Sequence, residues 1–150
     1  MSVGDHCRRN PVTASPEETV REAARKMHQA KVGSLAIVDE EGRAIGMVTD
    51  RDIVQKVLRR RKDPDATRVG DIASPDVVSV WQDVGLDRAL ARMRQEGVRR
   101  VLVTDDDGKL AGIITYDDVL PSIAEEFRMA ADVVSAQGPG GALQASSETK

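Results

Sequence analysis

Two stretches carry the polar chemistry of this chain: GMVTDRDIV at 46–54 and GIITYDDVL at 112–120. Each sets a glycine, two apolar residues, a threonine and, three places on, an aspartate: Thr49 with Asp52, Thr115 with Asp118. A carboxylate has two acceptor oxygens, which suit the vicinal 2′- and 3′-hydroxyls of a ribose. A hydroxyl at a helix start, beside the free N–H groups of the first turn, can hold a phosphate. Apolar strand ends, Met47-Val48 and Ile113-Ile114, offer a purine a flat wall and main-chain polar groups. Such parts make a nucleoside site without catalysis. The same Thr-x-x-Asp spacing also makes a capping box with no ligand at all, and the residues alone leave both readings open.

The elements that position these residues come in duplicate. Sliding the chain along itself by 66 residues lays Val3-Gly4-Asp5 over Val69-Gly70-Asp71, Ala23 over Ala89, Met27 over Met93 and Asp39 over Asp105. Gly42 meets Gly108, Gly46 meets Gly112 and Thr49 meets Thr115, with no gap between residues 3 and 54. Each unit reads strand, helix, strand, strand, helix. A short strand at 11–14 or 77–80 leads to a helix, which in the first unit is expected to start at SPEE, with Ser15 as N-cap, Pro16 in the first turn and Glu18 completing a capping box. Val20, Ala23, Ala24 and Met27 fall at helical spacing, as do Leu86, Ala89, Leu90 and Met93. Two apolar strands follow, SLAIVD and AIGMVT in one unit, RVLVTD and LAGIIT in the other, with Gly42 and Gly108 at their hairpin turns. A second helix starts at Thr49 or Thr115. Units this small bury little core alone, so the two should pack on each other. The expected class is α+β: tandem β-α-β-β-α repeats at 3–60 and 69–127, packed about a pseudo-twofold axis into one globular module. A linker fills 61–68, and a tail at 128–150, ending QGPGGALQASSETK, has a disordered composition.

Composition narrows the function. Of 150 residues, 40% are hydrophobic and 31% charged, which suits a soluble globule. No apolar run approaches ~18 residues and no secretory signal is visible, so a cytoplasmic location is expected. One cysteine, Cys7, excludes an internal disulfide, and His6 and His28 offer no metal-ligand spacing. A net charge of −3 gives no support to general nucleic-acid binding, and the basic run Arg59 to Lys62 reads as a solvated helix end beside the linker. No nucleophile–base pair or carboxylate–histidine constellation appears, so an enzyme is not expected.

The duplicated GMVTDRDIV and GIITYDDVL, each following a hairpin and a glycine, resemble the signature of the CBS domain, whose tandem pairs form the Bateman module. The resemblance covers about residues 3–127 and is especially close to bacterial stand-alone CBS-pair proteins associated with stress responses. It implies a regulatory module that binds adenine nucleotides (the AMP, ADP and ATP class) between the repeats, as regulatory ligands rather than required cofactors. It also implies homodimers of two pairs. Asp52 and Asp118 match the family's ribose-binding aspartates, and Thr49 and Thr115 the residue three places earlier. Arg99, in GVRRVLV, stands where family members often place a phosphate-binding arginine; the first unit has Gly33 there. The Asp52 cleft must therefore borrow a cation, with Arg51 and Lys31 as candidates, and the Asp118 cleft should be tighter for a phosphorylated ligand. By the same resemblance the first strand of the opposite repeat reaches each cleft. Thr13, Ser15, Arg99, Ile113, Thr115 and Asp118 then form one site, and Met47, Thr49, Arg51, Asp52, Ser79 and Trp81 the other. Trp81 stacks on a base, fills the cleft, or packs half-buried at a strand end on the neighbouring repeat, and Asp117 counts against a triphosphate near Asp118. The alternative is a scaffold, with the pair serving dimerisation and no nucleotide bound.

Overall fold

The structure, a computed structural model, describes residues 1–137, which fall into two compact units divided after Tyr116. The first unit holds the whole first repeat and all of the second but its last helix. A short helix α1 (Val3–His6) and strand β1 (Arg8–Arg9) precede β2 (Thr13–Ala14), α2 (Val20–Ala30), β3 (Ser34–Val38), β4 (Ala44–Thr49) and α3 (Asp50–Ile53), which runs on as a π-helical turn over Val54–Leu58. The second set repeats it as α4 (Val69–Ile72), β5 (Ser79–Trp81), α5 (Leu86–Glu96), β6 (Arg100–Thr104) and β7 (Leu110–Thr115). The fold is α+β. Helix α6 (Tyr116–Gln137) supplies, beyond Tyr116, the described part of the second unit, and residues 128–137, expected as tail, are helical. Residues 138–150, also assigned to that tail, lie outside the described residues.

In each repeat the first strand lies parallel to the second, which pairs antiparallel with the third: β2-β3-β4 in one sheet, β5-β6-β7 in the other. Helix α2 begins later than SPEE predicts. Thr19 is its N-cap, its Oγ1 accepting from Glu22 N–H at 3.2 Å while Glu22 Oε2 accepts from Thr19 N–H at 3.1 Å. Two S/T-x-x-E patterns follow one another here, and the one that won turns Val20, Ala23 and Met27 into the core. Residues 15–18 form a turn instead, with Glu18 N–H donating to Ser15 O at 3.2 Å.

The carbonyls of that turn have another use, which ties the repeats together. Val69 N–H donates to Glu18 O (2.8 Å) and Gly70 N–H to Pro16 O (3.0 Å), so the lead helix of the second repeat caps the first. The reverse holds too: Val3 N–H donates to Val84 O (2.7 Å) and Gly4 N–H to Gln82 O (2.8 Å). Beyond these helices Arg8 pairs with Ile113, and Ser74 forms a bridge with Met47. Each pair is its counterpart shifted by one repeat length. The exchange is also apolar: Val69 and Ile72, almost fully buried, belong to the core cluster of Ala14, Val20, Ala23, Met27, Leu35, Ile37, Val48 and Val57. Burial of each such side chain stabilises by about 1.5–3 kcal/mol.

The motif glycines sit where the exchanged segments cross. A Cβ on Gly112 would lie 2.7 Å from Arg8 O and 2.6 Å from Cys7 Sγ, and one on Gly46 would lie 3.0 Å from Ser74 O. A side chain there collides with the other repeat's lead segment.

Candidate functional site

Strand β3 starts opposite the end of β4, with Ser34 facing Thr49, and Asp50 N–H donates to Gly33 O at 2.9 Å, closing that corner. Thr49 is extended (φ −117°, ψ 162°) and caps α3. Its Oγ1 accepts from Asp52 N–H at 3.1 Å, and Asp52 Oδ2 accepts from Thr49 N–H at 2.9 Å and from the Thr49 hydroxyl at 3.0 Å. The capping box is therefore made. It uses one carboxylate oxygen: Asp52 Oδ1 faces Lys56 Nζ at 3.3 Å, one helical turn on, and Lys56 also donates to Ile72 O at 2.9 Å. A diol reaching Asp52 meets a carboxylate fixed in orientation by its own helix start, with Oδ1 facing a partly exposed lysine. Capping and ligand binding are compatible in one side chain.

A cation that spans the repeats beside the threonine motifs is one the sequence reading did not pick. Arg100, opposite Thr115 in β6, extends across to Ser34, its Nη1 donating to Ser34 Oγ at 2.5 Å. Ser34 and Arg100 are equivalent positions of the two repeats, so they meet beside the pseudo-twofold axis. The arginine has its base beside one threonine motif and its tip on the residue opposite the other. Arg99, in the bend just before β6, points elsewhere: its guanidinium lies over the Tyr116 ring, 5.7 Å from the centroid. That pair lines an open groove of about 450 Å³ with Leu90, Met93, Arg94, Gly97 and Val98. The buried run Val101-Leu102-Val103 hides the alternation that would have told the two arginines apart.

At the position matching Arg99, the first repeat sets Gly33 against a carboxylate. A Cβ on Gly33 would lie 3.2 Å from Asp50 Oδ2. The equivalent pairs are thus Gly with Asp in one repeat and Arg with Tyr in the other, and an anion approaching Gly33 meets negative charge. Arg51 is exposed, its N–H bonded to Asp50 Oδ1 at 2.8 Å, and Lys31 is the left-handed C-cap of α2 (φ 55°).

The other residues singled out are placed as follows. Met47 and Ile113 have backbone partners on both sides, Ala36 and Ser74 for the first, Leu102 and Arg8 for the second. Their side chains, half-buried, are what remains for a base; the main-chain polar groups expected there are largely committed. Thr13 lies in β2 opposite Ala36, and its carbonyl accepts from Lys26 Nζ at 2.9 Å. Ser15 stands in the turn after β2, and Ser79 is half-buried opposite Leu102. Trp81, 62% exposed, lines a groove of about 420 Å³ with Val80, Val84, Arg88, Ala91, Arg92 and Gln95, none of them assigned to the Asp52 cleft. Thr115 ends β7, and Asp118 is a half-buried residue of the first turn of α6, in the second unit. Among the described residues no group of three or more His, Cys, Asp or Glu could hold a metal ion, and no helix is long and apolar enough to cross a membrane.

Comparison with known proteins now gives the family. The CBS domain model matches residues 3–59 and again 69–125, so the chain belongs to the CBS domain family, with two copies in tandem. It is 42% identical over 120 residues to the uncharacterized protein MK0525 of Methanopyrus kandleri, covering 80% of this chain and 61% of that relative's length. Among solved structures it resembles Hypoxic Response Protein I with two coordinated zinc ions (30% identity, TM-score 0.73, covering 81% of this chain and 98% of that one). The CBS domain pair of protein MJ0100 in complex with 5-methylthioadenosine and S-adenosyl-L-methionine matches at 27% identity and TM-score 0.73, covering 84% and 98%. CBSX2 in complex with AMP matches at 27% identity and TM-score 0.69, covering 83% and 96%.

Proposed function

We propose that this protein is a non-catalytic, cytoplasmic ligand sensor that binds an adenine nucleoside or nucleotide between its CBS repeats and changes the geometry of a homodimer, or of a partner protein, in response. The observation that carries this reading is Arg100 bridging to Ser34 beside a Thr49–Asp52 pair whose carboxylate turns Oδ1 to the partly exposed Lys56. A ribose suits the carboxylate, a phosphate suits the guanidinium, and the half-buried Met47 and Ile113 side chains suit a base. Relatives of the same fold in complex with AMP, 5-methylthioadenosine and S-adenosylmethionine support the ligand class. A phosphate that takes Arg100 from Ser34 replaces a contact between repeats, which gives the ligand different affinity for two arrangements of the pair.

The two clefts are unequal in this reading. The one built on Asp118, with Thr13, Ser15, Arg99, Ile113 and Thr115, takes the phosphorylated ligand more tightly. The one built on Asp52, with Met47, Thr49, Arg51, Ser79 and Trp81, has Asp50 against Gly33, so an anion there is held by Arg100 against that carboxylate. A scaffold without nucleotide is the second reading, favoured by one observation: Asp52 Oδ2 and the backbones of Met47 and Ile113 already have partners.

Calorimetric titration with AMP, ADP, ATP and adenosine tests this, using wild type, Asp52→Ala and Asp118→Ala. The reading expects nucleotide binding that Asp118→Ala weakens more than Asp52→Ala. Absence of heat from all four ligands would leave the scaffold standing.

A further inference from the structure

Lys56 occupies a place that a ribose at Asp52 needs. Asp52 Oδ2 already accepts two hydrogen bonds, from Thr49 N–H at 2.9 Å and from the Thr49 hydroxyl at 3.0 Å. A carboxylate offers about four acceptor positions, two on each oxygen. While the cap is kept, a vicinal diol donating two bonds must therefore place both on Oδ1. That oxygen is ion-paired with Lys56 Nζ at 3.3 Å. The ammonium is tied on its other side too: it donates to the carbonyl of Ile72, the last residue of α4, at 2.9 Å. Its stem rises from the π-helical turn of the first repeat and its tip rests on the lead helix of the second. Ser122, uncharged, stands at the equivalent position of the other repeat.

We propose that Lys56 gates the Asp52 cleft by competing with the ribose diol for Oδ1. The inference rests on the reading that a ribose reaches Asp52, and it adds a regulator to that site. A ribose that takes both positions of Oδ1 leaves the ammonium to Ile72 O. Occupancy of the cleft then cuts the bridge that runs from Asp52 through Lys56 to α4. With Ser122 in its place in the other repeat, the gate belongs to the Asp52 cleft and is a second source of inequality between the clefts. Adenosine is uncharged, so long-range attraction of the ligand by the lysine does not mask the competition.

Calorimetry on the full chain tests it, with Asp118→Ala as background so that the Asp52 cleft alone is read. Adding Lys56→Met should tighten adenosine binding about two- to fivefold, the worth of a partly exposed ion pair. 2′,3′-Dideoxyadenosine, which has no diol, should bind alike with and without that change. Lys56→Arg, which keeps the charge, should leave adenosine affinity at the background value. Lys56 is partly exposed and a methionine side chain keeps the length of its stem, so the fold is retained. Adenosine affinity unchanged or weakened by Lys56→Met would overturn the gate and leave the site standing. An equal gain for both ligands would also overturn it, because the lysine would then act on the shape of the cleft rather than on the diol. No adenosine heat with or without Lys56→Met would remove the site itself, and the gate with it.

Discussion

At the scale of single residues, Asp52 has two duties that substitutions can separate. Thr49→Ala removes the hydroxyl that satisfies Asp52 N–H and should lower stability by about 1 kcal/mol, read from urea unfolding. Asp52→Asn keeps an acceptor for Thr49 N–H but loses the charge facing Lys56 and one of the two oxygens a diol needs. Its stability should fall by less than about 1 kcal/mol, because the lost ion pair is partly exposed, while nucleoside binding at that cleft is lost. A variant that keeps its ligand affinity would reduce Asp52 to a helix cap. The sequence showed this residue and its dual character. It did not show Arg100, since two adjacent arginines before a wholly buried strand give no alternation from which to tell which one faces the other repeat.

At the scale of elements, the duplication was legible because the two copies align without gaps, and with it the strand order and the hairpin glycines. The start of α2 was not, because SPEE and TVRE both satisfy the capping pattern and only the tertiary claim on the Pro16 and Glu18 carbonyls separates them. Neither was the extent of α6, which runs to Gln137, past the end of the family match at residue 125. Element-level comparison of the repeats yields two predictions. Lys31 and Gly97 are equivalent left-handed C-caps (φ 55° and 66°), so Lys31→Gly should stabilise by up to about 1 kcal/mol in thermal or urea unfolding. Gly112→Ala should destabilise by about 1–3 kcal/mol, as Arg8 O and Cys7 Sγ must move, and Gly46→Ala by less, with only Ser74 O at 3.0 Å. Equal effects at the two glycines would mean that the exchanged segments yield alike.

At the scale of the molecule, the lead segments are exchanged: residues before each repeat complete the other. Neither repeat is then a folding unit as its sequence boundaries suggest. Residues 1–61 alone lack Val69 and Ile72 and should show little helix by circular dichroism, whereas residues 1–75 should regain it. Ile72→Ala should cost about 2–4 kcal/mol although it lies outside the repeat whose core it fills. A cooperative fold for residues 1–61 would contradict the exchange.

The most direct test of the central claim is a calorimetric comparison of AMP and adenosine binding to wild type and Arg100→Ala. The account predicts that the substitution weakens AMP by roughly 10–100-fold, the loss of a charge-assisted contact, and leaves adenosine nearly unchanged. If wild type binds neither ligand, or if Arg100→Ala leaves AMP affinity intact, the nucleotide site between the repeats is contradicted.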